Sequence, residues 1–226
     1  MGIASSLTKN IAPRVSRAAP GLSTGFVHEA LRRAISGVGP LPGAAVAADK
    51  ALRDAHGDAE RAIHDLIETH VRYAGVQGFA TNLGGLITAT VTIPANITGL
   101  ALIQCRLVAC IVHLRGYQLD DRRVRNAILT CLLGEDHVRG LVRSKKLPSS
   151  PMGIATAPTH DPHLDRVTAA EVTGELFTKV AGKRVATSVG RRVPVVGGLV
   201  GAGIDGYSTW QIGRYTDREM RPRARR

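Results

Sequence analysis

Hydrophobic positions along this chain recur mainly with a helical period. Ala59, Ala62, Ile63, Leu66, Ile67, His70 and Ala74 fall on one stripe at three- and four-residue spacing, and Asp58 stands where an N-cap belongs. That pattern predicts an amphipathic helix. Glu68 and Arg72 add an i,i+4 pair in the favourable orientation. His70 lies on the apolar side and reads as a hydrogen-bonded core histidine. Upstream, Phe26, Ala30 and Ile35, with Arg32 and Arg33 opposite, predict a helix over residues 26–38. Gly37-Val-Gly-Pro-Leu-Pro-Gly43 breaks it, and the Ala-rich run 44–55 reads as helix again.

Pro94 fits the first turn of a helix over residues 95–114 that is apolar almost all round and therefore central, with Gly116 as its stop. Asp120 or Asp121 can cap the next helix, through Val124, Ala127, Ile128, Cys131 and Leu132 to Gly134. Four prolines in residues 147–165 predict a loop. Thr168 as N-cap with Glu171 three residues on resembles a capping box and predicts a helix over 168–189. Pro194 opens a last helix to about residue 220. No segment alternates like a strand. The predicted fold is all-α: a compact helical bundle with two long, Gly/Ala-rich apolar central helices. Residues 1–57 read as an N-terminal extension with one or two short helices, 58–220 as the main helical domain, and 221–226 as a basic tail.

The chain has 226 residues, of which 44% are hydrophobic but only 4% aromatic. Its core must therefore be aliphatic. Three cysteines without ligand or pairing spacing exclude a disulfide framework and suit a reducing compartment. The opening residues lack the apolar run of a secretory signal, so a cytoplasmic location is expected. Residues 73–105 carry no charge. That run is longer than the ~20 residues a membrane span needs. It is nevertheless broken by Gln77, Asn82, Pro94, Asn96 and Gln104 and closed by Arg106. A buried helical pair that touches lipid is the better expectation. The glycines Gly84, Gly85, Gly197 and Gly201 are candidates for close helix packing, within the chain or between copies.

Catalytic motifs are wanting. Gly201-Ala-Gly-Ile-Asp-Gly206 spells a dinucleotide fingerprint, but too little chain follows to complete that fold. His160, His163 and Asp165 lie close together without a metal-site spacing. No catalytic, cofactor-binding or metal-ligating residue is assigned, and no cofactor is expected.

The net charge of +12 is the stronger signal, since it favours an anionic partner. Two basic clusters, Arg122, Arg123 and Arg125, and Arg139, Arg143, Lys145 and Lys146, are candidate contacts for lipid headgroups or a partner. Asn96, Gln104 and Arg106 are further candidates, as polar residues on the apolar helix. Arg106 must face an acid on another helix or a lipid phosphate, because burying an unpaired guanidinium is costly. Nucleic-acid binding is the rival use of the charge. Few aromatics are available for base stacking, and no recognition motif is present, so a nucleic-acid partner is not favoured. An enzyme of unrecognised class, built on Gln104, Arg106 or His113, is the third reading.

The segment Ile93-Pro-Ala-Asn-Ile-Thr-Gly-Leu-Ala-Leu-Ile-Gln-Cys-Arg106, Gly116-Tyr117 with Asp120, Leu132-Leu133-Gly134, Gly84-Gly85 and Arg192-Val-Pro-Val-Val-Gly197 occur in an order that resembles the EcsC family of bacterial proteins. The resemblance spans roughly residues 58–220. It implies a helical fold, and an aspartate in many relatives where this chain has Asn96. The family is named after the third gene of an operon that encodes an ABC transporter, which implies work near the cytoplasmic membrane. The resulting expectation is a non-enzymatic, basic protein, peripheral to the inner face of the membrane, that binds lipid or serves a membrane transporter.

Overall fold

A computed structural model describes residues 20–39, 41–83, 95–189 and 194–223, and side-chain surroundings for 25–39, 41–76, 99–176 and 202–223. Nine helices stand among the described residues: α1 (Pro20–Ser36), α2 (Ala44–Asp54), α3 (Ala59–Leu83), α4 (Ala95–Leu114), α5 (Arg122–Leu132), α6 (Glu135–Arg143), α7 (Pro151–Ala155), α8 (Pro162–Val189) and α9 (Pro194–Glu219). Strands β1 (Gly37–Val38) and β2 (Leu41–Pro42) form an antiparallel hairpin between α1 and α2. Among the described residues the fold is all-α apart from that hairpin.

Helix α4 is the axis of the bundle. Leu107, Val108, Ala109, Cys110, Ile111 and Val112 are consecutive and wholly buried, so every side of the helix is covered. Helices α1, α2, α3, α5 and α9 pack around it. The stripe read on α3 is the stripe that packs: Ala62, Ile63, Leu66, Ile67, His70 and Ala74 are buried. Asp58 accepts from the Arg61 amide at 3.0 Å, and Asp121 caps α5 by accepting from the Arg123 amide at 2.8 Å. Gly116 ends α4 with φ +87, and a Cβ there would collide with the Arg223 carbonyl. The C-terminal strand of chain is strapped against that turn, with the Arg223 amide donating to the Arg115 carbonyl at 2.8 Å.

Helices α3 and α9 make the most extensive contact in the fold and run antiparallel, with Gly75 beside Ala202, Val71 beside Gly206 and Ile67 beside Gly213. Small residues set that approach. A Cβ on Gly213 would lie 2.9 Å from Ile67 Cγ1 and 3.2 Å from Leu107 Cδ2. The fingerprint-like glycines 201–206 thus fall inside a helix, where Gly206 faces Val71. Gly84 and Gly85 lie outside the described residues, and the surroundings of Gly197 and Gly201 lie outside the described side chains.

Two local expectations are corrected. Helix α8 begins at Pro162, six residues before Thr168, because Asp161 accepts from the His163 amide at 2.8 Å and proline is pre-set for a first helical turn. Thr168 is buried in the helix interior, and Glu171 turns toward His137 and Lys146 rather than back to a cap. The Pro-rich segment 147–165 likewise holds the short helix α7 as well as loop.

Replacing Gly213 by Val should cost about 1–3 kcal/mol, the usual effect of overpacking a filled interface. Gly203, on the same helix, has open space around its missing Cβ. Gly203→Ala should therefore be neutral or stabilising. Urea unfolding of the two variants checks both signs.

Candidate functional site

One cross-section of the bundle gathers the polar residues of α4. Gln104 is 1% exposed, and its Nε2 donates to Thr209 Oγ1 at 3.2 Å and Ser208 Oγ at 3.4 Å. Arg106 is half-buried on the other side of α4 and donates to the Pro42 carbonyl at the root of the hairpin. Its partner is therefore neither an acid on another helix nor a group outside the chain, but a backbone oxygen. His70 Nδ1 donates to the Leu66 carbonyl at 2.8 Å, which leaves Nε2 as the unprotonated nitrogen. Burial drops its pKa to about 4, so it is a neutral core residue. The side chain of Asn96, in the first turn of α4, lies outside the described side chains.

Around this cross-section the solvent-facing stripes of α3 and α9 change character together. On α3 the exposed positions run Arg61, His64, Asp65, Glu68 and Arg72, then Tyr73 and Val76. On α9, read toward the same end, they run Arg218, Arg214 and Gln211, then Trp210, Tyr207 and Ile204. Val76 is 70% exposed, Tyr207 61%, Tyr73 52%, Trp210 46% and Ile204 41%. These are large apolar side chains left substantially open to solvent. Tyr207 and Trp210 stack on each other, with ring centroids 5.9 Å apart and planes 20° apart. Tyr73 meets the edge of His70 at 5.9 Å.

The aromatic pair also borders a groove of about 540 Å³ between the α5–α6 junction and α9. Its rim is an ion-pair network. Glu135 accepts from Arg139 at 2.6 Å and from Arg218 at 2.7 Å, joining α6 to α9. His137 stands between Glu171 at 3.5 Å and Glu175 at 3.2 Å, joining α6 to α8. A smaller hollow of about 230 Å³ lies beside α7, lined in part by Arg123, Asn126 and His160. There His160 Nε2 meets Asp165 at 2.9 Å, and Asn126 donates to the same carboxylate. Among the described residues no group of three or more His, Cys, Asp or Glu converges as a metal site. The three thiols are buried and pushed up to about 12, so they are inert as nucleophiles.

The basic clusters are largely engaged within the chain. Arg123 forks onto Asp121 and also donates to the Ala157 carbonyl, and Arg125 donates to the Leu119 carbonyl. Arg139 pairs with Glu135, and Lys146 with Glu171 at 3.1 Å. Arg122, Arg143 and Lys145 are exposed. Position matters as much as pairing. The first cluster follows the end of α4 at Arg115, where Glu60 and Asp217 meet. Glu60 is 16 residues from Val76 along α3, about 24 Å at 1.5 Å per residue. The first cluster, just past the end of α4, and the apolar surface thus lie well apart along the bundle.

The His137 clamp makes a pH prediction. Glu171, then Glu175, hold its pKa up to about 9, against 6.5 for an ordinary histidine. A raised folded-state value gives stability that is complete below pH 6.5 and is lost as pH rises through 9. Wild-type stability should fall across that window, and His137→Gln should flatten the decline. Urea midpoints at pH 6, 7.5 and 9 measure it.

No curated protein and no solved structure matches the chain. The model of the EcsC protein family matches residues 48–224. That match begins within α2, ten residues before the segment the sequence motifs delimit, and takes in the Pro94–Arg106 signature, the central helix and the aromatic surface of α9. The chain belongs to the EcsC protein family.

Proposed function

We propose that this chain is a peripheral membrane protein that docks the exposed apolar surface of α3 and α9 on an anionic bilayer. One observation carries the reading. Along the described part of α9 toward its C-terminus, the exposed side chains run Ile204, Tyr207, Trp210, Gln211, Arg214 and Arg218. Aliphatic, aromatic, cationic is the order in which a bilayer offers hydrocarbon, interface and phosphate. Tyr73 and Val76 on the antiparallel neighbour α3 repeat the apolar part at the same height.

Charge along the sequence supports the same reading, although Glu135, Asp136 and Glu175 line the groove beside Tyr207 and Trp210. No acidic residue occurs between Glu68 and Asp120, or between Glu175 and Asp205. The second interval carries Lys179, Lys183, Arg184, Arg191 and Arg192. Each cation near an anionic surface contributes about 1 kcal/mol. Among the described residues no helix is long and apolar enough to cross a membrane, and docking at the surface needs none. The headgroup contacts thus fall to the cations of that interval, rather than to the cluster Arg122–Arg125, whose Arg123 and Arg125 are engaged within the chain. On this reading the chain binds rather than transforms. It acts as a lipid-binding or transporter-accessory component on the inner face of the cytoplasmic membrane.

Trp210 is the only tryptophan, so it reports directly. Phosphatidylglycerol vesicles should shift its emission to the blue and sediment the protein. Part of that binding should survive high salt, because apolar contact is not screened. The double substitution of Tyr207 and Trp210 by Glu should weaken sedimentation at least about tenfold, or ~1.4 kcal/mol. An unshifted emission with no sedimentation would sink the proposal. Sedimentation that vanishes wholly at high salt would show a purely electrostatic contact and would also overturn it.

A further inference from the structure

The groove beside the stacked aromatic pair runs against the charge of the molecule. The chain carries 30 lysines and arginines against 18 acids. The groove reverses that ratio. Its carboxylates are Glu135, Asp136, Glu175 and Asp205, and its cations are Arg214, Arg218 and His137. Glu135 and Glu175 also hold the ion pairs of the rim. Asp136 stands on the open side, fully exposed in the first turn of α6, with Arg139 Nη1 3.8 Å away. Carboxylates beside a membrane-docking surface are a cost if every lipid they meet is an anion. They become a gain if the lipid beside them carries a positive charge.

The rest of the groove suits such a lipid. Tyr207 and Trp210 both line it. An ammonium group within about 6 Å of an indole or phenol ring is attracted by the negative face of the ring. Arg214 lines the groove on the same face of α9, about one turn past Trp210 and two past Tyr207, and is 45% exposed. A guanidinium fork matches a phosphate. Leu133, Ile212 and Tyr215 are buried beneath and supply an apolar floor. One wall thus offers aromatic rings and then a cation, and the other offers carboxylates. A simple anion would meet the acids, and a simple cation would leave Arg214 unused. A zwitterion with an ammonium beside a phosphate uses both. The volume of about 540 Å³ is that of a small-ligand site.

We infer that this groove recognises the headgroup of an amine-bearing phospholipid, its ammonium against Trp210, Tyr207 and Asp136 and its phosphate against Arg214. The inference rests on the membrane reading above and names the lipid class that the docking surface selects. Anionic lipid attracts the chain through its general positive charge, and the groove then picks out the zwitterionic neighbour.

Two vesicle types separate this inference from the reading beneath it. Both hold the same share of phosphatidylglycerol. One is completed with phosphatidylethanolamine, the other with monoglucosyl diacylglycerol, which is neutral and lacks the amine. Sedimentation should show about tenfold tighter binding to the first, the size of one well-placed cation–π contact. Equal affinity for the two would leave membrane docking standing and overturn the groove assignment. Sedimentation with neither would remove both. Asp136→Lys should fold as wild type, because the side chain is fully exposed. It should lose the preference for phosphatidylethanolamine while binding the glucolipid vesicles as well as or better than wild type, because an added cation favours an anionic surface. Affinities that move together in this variant would show bulk charge at work and contradict the inference. Soluble phosphoethanolamine, titrated against Trp210 emission, tests the source of the headgroup. An emission change with no vesicle preference would assign the groove to a free amine and overturn its assignment to lipid.

Discussion

The fold hangs on one buried guanidinium. Arg115, at the end of α4, is 7% exposed. It forks onto Glu60 of α3, with Nη1 and Nη2 at 2.5 and 3.0 Å from the two carboxylate oxygens, and it also binds Asp217 of α9. An arginine withdrawn from water is tolerable only when paired, so each partner helix must end where the fork can reach it. That requirement fixes the height of α3 and α9 against the central helix. The glycines then set the distance. Gly206 and Gly213 let α9 lie against Val71, Ile67 and Leu107 without a side chain between.

Fixing the three helices at one end also determines what their flanks display farther along. The exposed stripes of α3 and α9 are charged near Glu60 and Asp217 and apolar near Val76 and Ile204. The two gradients agree only because the helices are antiparallel and in this register. A shift of one turn would move Tyr73 and Val76 out of step with Ile204 and Tyr207 and break up the surface they form. The latch at the polar end and the apolar end are therefore one design, although about 24 Å of helix separates them. The ion pairs of the former basic clusters fit the same division. Glu135 with Arg139 and Arg218, and Glu171 with His137 and Lys146, brace α6 against α8 and α9.

Much of this was legible in the residues. The apolar circumference of Ala95–Leu114 marks a central helix, and Asp58 and Asp121 announce the helices they cap. Glu135 and Arg139, four apart, were readable as a pair. Lys146 with Glu171 and Arg115 with Asp217 were not, because they join residues distant in sequence. The start of α8 went astray for a physical reason: Pro162 is a loop-former by composition but a first-turn residue when Asp161 caps it. Arg106 was misread because a backbone carbonyl, which every residue carries, leaves no mark in the sequence. The uncharged run 73–105 pointed to an unusual surface. That Trp210, Tyr207 and Tyr73 open onto solvent together depends on the packing, which the sequence does not display.

Hydrogen–deuterium exchange with and without phosphatidylglycerol vesicles tests the division of the molecule into a polar latch and a membrane-facing end. Slowed exchange confined to the helical turns around Tyr73–Val76 and Ile204–Trp210, with no change at 115–125, is the predicted outcome. Protection centred on residues 115–125, or spread evenly over the chain, would contradict it.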